Sequence, residues 1–352
     1  MPKKYHCKQL GYVNNGRMNS AEPSNDKSVI AVVGSGAIGQ FYAAQLSLAG
    51  HELRLLARRD AVRLAQRGLI IHQTPVPQIK SSTEHSTLLI SPDRFKVGTG
   101  PAQLAGEHKP DWVLVALKTT ALGQARALVE PLLRPDTGIV IMCNGLGIED
   151  QFAKWFGPER IFGLLCFIGV NRDDDGTIRH LAFGHVAAGH FQDDCAQRAR
   201  LVRLFEGAGV TCESPESLLE ARWRKLGWNL PFNGLSLLYN CTTDAIVGDG
   251  ERRAFARQLA EEAVTIGNLD LAAHGQAARI EADWAQLQLS RTDTMGAYAP
   301  STLLDARAGR AQEMDMFLEP AHRAQQLGAT APALFRLLGL LDAEGLLKTP
   351  AV

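Results

Sequence analysis

Three glycines spaced Gly34-x-Gly36-x-x-Gly39, directly after the apolar run Val29-Ile-Ala-Val-Val33, have the pattern that cradles the pyrophosphate of a dinucleotide. The first glycine allows a tight turn, the second lets backbone approach the phosphates, and the third lets the next helix pack close to the strand. Ser35, Ala37 and Ile38 complete the loop, and the unpaired N–H groups at the helix start would face the anion. The motif alone is weak. Here a helical pattern through Tyr42, Ala43, Leu46 and Ala49 follows it and stops at Gly50, and a second strand, Glu52-Leu-Arg-Leu-Leu-Ala57, comes next. This order predicts a nicotinamide or flavin nucleotide site; a glycine-rich turn in some other α/β protein is the alternative.

At the end of that second strand, a chain selecting NAD carries Asp or Glu for the ribose 2′-OH. Ala57-Arg58-Arg59 stands there instead. A guanidinium binds a 2′-phosphate through paired charge-assisted bonds where a carboxylate would repel it, which favours NADP(H). Two solvated loop arginines would give the same sequence, and Asp60 beside them has the chemistry either to cap the next helix or to reach a ribose.

A second constellation is Lys225-Leu-Gly-Trp-Asn229-Leu-Pro-Phe-Asn233. Steps of four put Lys225, Asn229 and Asn233 in one row of a helix, among Trp223, Leu226, Trp228, Leu230, Phe232 and Leu235. Polar groups in such surroundings are costly unless something hydrogen-bonds them. The alternative is a solvated stripe, although Asn is a poor helix former that a surface seldom uses. Pro231 predicts a bend. Hydride reduction of a ketone leaves negative charge on its oxygen, which needs a proton donor or cation within reach, and Lys225 offers both. Burial against the tryptophans would lower its pKa.

An open α/β sheet must position these groups, because its ligands sit beyond the carboxyl ends of the strands. Lys118 follows the strand Val113–Leu117, and Asn144 follows Ile139–Cys143. The lysine suits phosphates and the asparagine a ribose or amide; ordinary strand-end polarity explains either equally well. Short strands are predicted at Ile70-Ile71 and Leu88–Ile90, and longer ones at Ile161–Val170 and His180–Ala188, with a turn at Asp175-Gly176 between the longer pair. A helix is predicted from Ala121 to Leu133. From about residue 193 helical periodicity dominates, with breaks at Gly250, Gly275 and Pro300. The expected division is a disordered polar extension (1–27), a Rossmann nucleotide domain (28–192) and an all-helical domain (193–352).

With 352 residues the chain is long enough for two cores, and 37 basic against 37 acidic residues leave no net charge to attract nucleic acid. No apolar run has the length to span a bilayer, and Lys3, Lys4, Lys8 and Arg17 precede no apolar signal core. Six cysteines without a CxxC fit reduced thiols in a cytoplasmic protein. No metal site is expected. His180, His185 and His190 alternate faces on a strand, and Asp173-Asp174-Asp175-Gly176 lacks the further ligand spacing of a calcium loop.

Over about residues 28–330 the chain resembles the ketopantoate reductases (2-dehydropantoate 2-reductases). The likeness rests on Gly-Ser-Gly-Ala-Ile-Gly39, Arg58, Val-Ala-Leu-Lys118, Cys-Asn144-Gly-Leu-Gly and Trp-Arg-Lys225-Leu-x-x-Asn229-x-x-x-Asn233. Ala-Pro-Ser301-Thr-Leu-Leu-Asp305, followed eight residues later by Glu313, completes it. The resemblance implies an active cleft between the two domains and NADPH-dependent reduction of 2-dehydropantoate to pantoate, toward pantothenate and coenzyme A. It implies Gly34 to Gly39 at the pyrophosphate, Arg58 and Lys118 flanking the 2′-phosphate, and Asn144 near the nicotinamide-side ribose. Lys225 would be the general acid, with Glu313 beside it and the cofactor ribose; Asn229, Asn233 and Ser301 would hold substrate. Thr243 stands where the family often has a substrate-binding Asn, and Pro300 and Pro320 are also less usual. Thr243 keeps open a reductase of another branched 2-oxo acid or an opine-type substrate; an NADP(H)-sensing protein without turnover is a third reading. A homodimer is compatible with all three.

Overall fold

The last four residues of β1 (Val29–Val33) are completely buried, as are nearly all of β6 (Trp112–Val115) and β7 (Gly138–Ile141). Such unbroken apolar runs belong to parallel strands covered on both faces. In the computed structural model, which describes residues 27–76, 78–80 and 84–347, they form the middle of a ten-stranded sheet. The extension expected to be disordered lies, apart from Lys27, outside the described residues.

Beyond β1 lie β2 (Glu52–Leu56) and β5 (Phe95–Gly98); on the other side β6 and β7 lead to β8 (Ile161–Arg172). All six strands are parallel. β9 (Ile178–His190) returns antiparallel to β8 through the predicted turn, where Gly176 has φ +86° and the Asp175 carboxylate accepts from the Thr177 N–H at 2.9 Å. β3 (Leu69–Gln73) then joins β9, and β4 (Ser86–Ile90) closes that edge. The chain leaves β1 for β2 on one side and meets β6 on the other. That reversal is the switch point at which such sheets open a ligand crevice.

Two expectations need correction. The sheet does not end at residue 192: β10 (Cys212–Glu213) pairs with β9. The helical texture that begins near 193 is the Cys195–Gly207 helix, which covers the sheet and packs Phe205 against Tyr42 at 6.0 Å. The all-helical part therefore starts at Leu218. The helix read over Ala121–Leu133 is instead two 3-10 turns, Thr119–Gln124 and Glu130–Leu132, around a short α segment, Ala125–Val129. Gly123 and Pro131 interrupt it. The Leu218–Tyr239 helix, 22 residues long, runs on through Pro231, where a bend is expected.

That helix and the 24-residue Gly250–Ala273 helix are the spine of the second half. Trp223, Leu226, Leu230 and Phe232 of the first meet Phe255, Leu259 and Ile266 of the second in one core. Buried Asp270 is well partnered within it. The Trp223 indole donates to Asp270 at 2.8 Å, and Arg323 Nη1 reaches both Asp270 carboxylate oxygens, at 3.0 and 2.9 Å.

The glycine loop after β1 yields a paired test. Gly34 has φ +109°, and a Cβ there would lie 2.5 Å from the Ala116 carbonyl oxygen, whereas a Cβ on Gly36 would meet nothing within 4 Å. Gly34→Ala should destabilise the protein by about 1–3 kcal/mol, and Gly36→Ala should leave stability unchanged. Urea unfolding of both variants checks this; equal stabilities would show that the loop is not packed against the end of β6.

Candidate active site

The Ala37–Leu48 helix begins directly at the glycine loop, with Gly36 in the N-cap place, no side-chain cap and no acidic residue in its first turn. Its first N–H groups therefore point at a surface that the Gly36 side keeps open. Gly39 allows the close packing: a Cβ there would sit 2.1 Å from the Gly34 carbonyl oxygen. Gln40 steadies the loop by donating to the Ser35 carbonyl at 2.7 Å. These features fit an anionic pyrophosphate.

At the end of β2, Arg58 and Arg59 are exposed, and Arg58 makes one long contact, to Gln124 Oε1 at 3.3 Å. Of the two roles open to Asp60, the cap is not taken. Its carboxylate pairs with Arg172. Lys118, expected beside a 2′-phosphate, stands at the end of β6 with its side chain partly exposed. Its ammonium is ion-paired with Asp305, which also accepts from Arg310 Nε at 2.9 Å. This pair ties the end of β6 to the Ser301–Arg307 helix.

Lys225 lies between the two halves. Its Nζ donates to Asn144 Oδ1 at 2.9 Å and to the Cys166 carbonyl at 2.8 Å, and sits 5.2 Å from the Phe167 ring centroid. The helical half supplies the lysine and the sheet half, at the ends of β7 and along β8, supplies its partners. Burial pushes the ammonium pKa down to about 8; Arg222, one turn earlier, pushes the same way, and Glu313 opposes it. Glu313 is 9 % exposed and accepts the Thr119 N–H at 2.9 Å, just past Lys118; burial raises its pKa.

The remaining predicted substrate ligands divide. Asn229 is buried one turn beyond Lys225, and Ser301 is exposed as the first residue of its helix, with Pro300 in the N-cap place. Asn233 is 2 % exposed and its Oδ1 accepts from Thr302 Oγ1 at 2.9 Å, so it braces the residue after Ser301. Thr243 departs furthest from expectation. It is completely buried and its hydroxyl donates to the Gly296 carbonyl at 2.9 Å, which anchors that loop.

Three groups escaped the sequence reading. Arg222 and Glu149, 3 % and 5 % exposed, form a buried ion pair behind Asn144, and Asp305 neutralises Lys118. Removing one partner of such a buried pair typically costs about 3–5 kcal/mol. Arg222 stands among Glu220, Arg224 and Lys225, so no local signal singled it out. Among the described residues no cluster of His, Cys, Asp and Glu could hold a metal ion, and no helix is long and apolar enough to cross a membrane.

The family model described as Ketopantoate reductase PanE/ApbA matches residues 30–193, and the model of its C-terminal part matches residues 217–344. A 2-dehydropantoate 2-reductase of Nostoc sp. is 29 % identical over 326 residues, which span 89 % of this chain and 94 % of that one. The crystal structure of 2-dehydropantoate 2-reductase from Geobacter metallireducens shares 33 % identity at a TM-score of 0.81, covering 90 % of this chain and 99 % of its own. D-mandelate dehydrogenase, solved with NADH and anilino(oxo)acetate, shares the fold at 16 % identity and a TM-score of 0.75, over 90 % of this chain and 97 % of that one. With both halves matched in order, a glycine loop on the Rossmann sheet and a lysine presented by the helical half, this chain is an oxidoreductase of the ketopantoate reductase family.

Proposed function

We propose that this protein reduces 2-dehydropantoate to pantoate with NADPH, using Lys225 as the general acid. The observation that carries the reading is the Lys225 ammonium, held by Asn144 and the Cys166 carbonyl between the two halves and lowered to a pKa of about 8. A proton donor works best with a pKa near the operating pH. NADPH, when bound, supplies the hydride.

The glycine loop and the start of the Ala37–Leu48 helix would hold the pyrophosphate, and Arg58 with Arg59 the 2′-phosphate. Lys225 would place its third N–H on the ketone oxygen, since two of its three donors are already engaged. As negative charge grows there, the ammonium stabilises it and passes the proton over. Glu313, buried on the same side, keeps the ammonium charged against the desolvation that would discharge it. Ser301 and Asn229 would bind the substrate's carboxylate and hydroxyl, with Asn233 steadying the Ser301 turn through Thr302.

The placing of Thr243 favours a second reading on the same chemistry. Its hydroxyl is committed to backbone, so the substrate wall lacks the amide that the family often has there. A 2-oxo acid that needs one fewer polar contact would fit such a wall. Steady-state NADPH oxidation across a panel of 2-oxo acids decides between the two: the first reading requires 2-dehydropantoate to have the highest kcat/KM. No turnover with any of them would leave a nucleotide-binding protein.

Lys225→Ala should lower kcat on the best substrate about 10²-fold while NADPH affinity hardly changes, because the lysine faces the ketone. Near-full turnover in this variant would make Lys225 structural. Arg58→Ala should weaken NADPH more than NADH, by about 1–3 kcal/mol for one charge-assisted contact. Fluorescence titration with both nucleotides reads this difference, and equal losses would remove the preference for NADPH.

A further inference from the structure

Arg222 lies one turn before Lys225 on the same helix, and its guanidinium reaches into the sheet half. Nη1 donates to the Cys143 carbonyl at 2.7 Å and Nη2 to the Ile141 carbonyl at 3.3 Å. Nε and Nη2 both donate to Glu149 Oε1, Nε at 3.0 Å. Cys143 is the residue before Asn144, and Glu149 lies in the first turn of the Ile148–Phe156 helix that follows the turn Asn144-Gly-Leu-Gly147. One side chain thus fastens both ends of that turn to the helix that carries Lys225.

The turn needs such a fastening. Gly145 and Gly147 have φ +105° and +76°, and glycines there impose little conformation of their own. The sheet also makes room for the pair. A Cβ on Gly163 of β8 would lie 2.8 Å from Glu149 Oε1, so only glycine leaves the carboxylate its space.

We propose that Arg222 is a positioning residue, which holds Asn144 Oδ1 against the Lys225 ammonium by fixing Cys143 and Glu149 on either side of it. This rests on the reading of Lys225 as the general acid. The positive charge of Arg222 also disfavours the ammonium beside it, a second way in which it acts on Lys225.

The test is a double-mutant cycle on the full chain. Arg222→Met together with Glu149→Met removes the pair without stranding a buried charge, a replacement that proteins often tolerate. The expected result is a thermal midpoint close to the parent's, an unchanged NADPH Kd, and a kcat lowered about 10- to 100-fold, the scale of a slightly misplaced catalytic group. Asn144→Ala should lower kcat in the parent but add little in this background, because both changes release the same contact. Parent-like kcat in the Met pair, or a full additive effect of Asn144→Ala, overturns the assignment. Should the Met pair not fold, Arg222→Lys enters the same cycle, since one ammonium cannot span two carbonyls and a carboxylate. A chain that folds with neither replacement makes the pair structural and likewise overturns it. Lys225→Ala run alongside separates the two claims. If it keeps parent turnover, the general-acid reading fails; if it loses turnover while the cycle is additive, only the positioning role fails.

Discussion

Holding an ammonium in an apolar seam is expensive, and the site is organised around meeting that cost. Lys225 leaves most of its water behind and receives an amide oxygen, a backbone carbonyl and the face of Phe167 in return. None of these carries a full negative charge, so the ammonium is satisfied but not pinned in its charged state. Glu313 exerts an anionic pull on it, while burial raises the pKa of the neighbouring Cys166 thiol to about 11 and so keeps it neutral. A lysine salt-bridged directly to a carboxylate would hold its proton too tightly to give it up near neutral pH.

The same requirement explains why two halves are needed. The helical half cannot supply carbonyls to its own lysine, because a helix uses its carbonyls internally. The sheet half supplies them: the Asn144 amide past the end of β7, and the Cys166 carbonyl of β8 beyond Gly163, where its pairing with β7 stops. Three further contacts hold the ends of β6 and β7 in place: Arg222 with Cys143 and Glu149, Lys118 with Asp305, and Glu313 with the Thr119 N–H. Each joins β6 or β7, or the turn that follows it, to the helical half.

How much of this was legible in the sequence follows from the range of each interaction. The glycine loop was readable because strand, turn and helix are contiguous and each glycine answers a local steric demand. The Lys225 row was readable because helical periodicity puts its members on one face. What the row does was less so: Asn233 braces Thr302, which is 69 residues away and follows no period. Lys118 was assigned by position at a strand end, yet its partner Asp305 is 187 residues distant and belongs to another element. Thr243 was read as a weaker substrate ligand because the family often has a substrate-binding Asn at that place; folding buries it and its hydroxyl donates to Gly296. Buried charges such as Arg222, and Arg54 with its three carbonyl contacts at Leu104, Ala105 and His108, are opaque for a related reason. Besides the carboxylates of Glu149 and Glu52, their partners are backbone oxygens, which no residue type announces.

The central claim is that Lys225 donates the proton from an ammonium whose pKa burial has brought down to about 8. The pH dependence of kcat measures it most directly, with saturating NADPH and 2-oxo acid. If the ammonium is the acid, reduction is fast below this pKa and falls as pH rises through it, because the neutral amine has no proton to give. Oxidation of the 2-hydroxy acid should show the mirror image, rising over the same range as the amine becomes available to accept. A reduction rate that stays level across that range, or that rises with pH, would contradict the account.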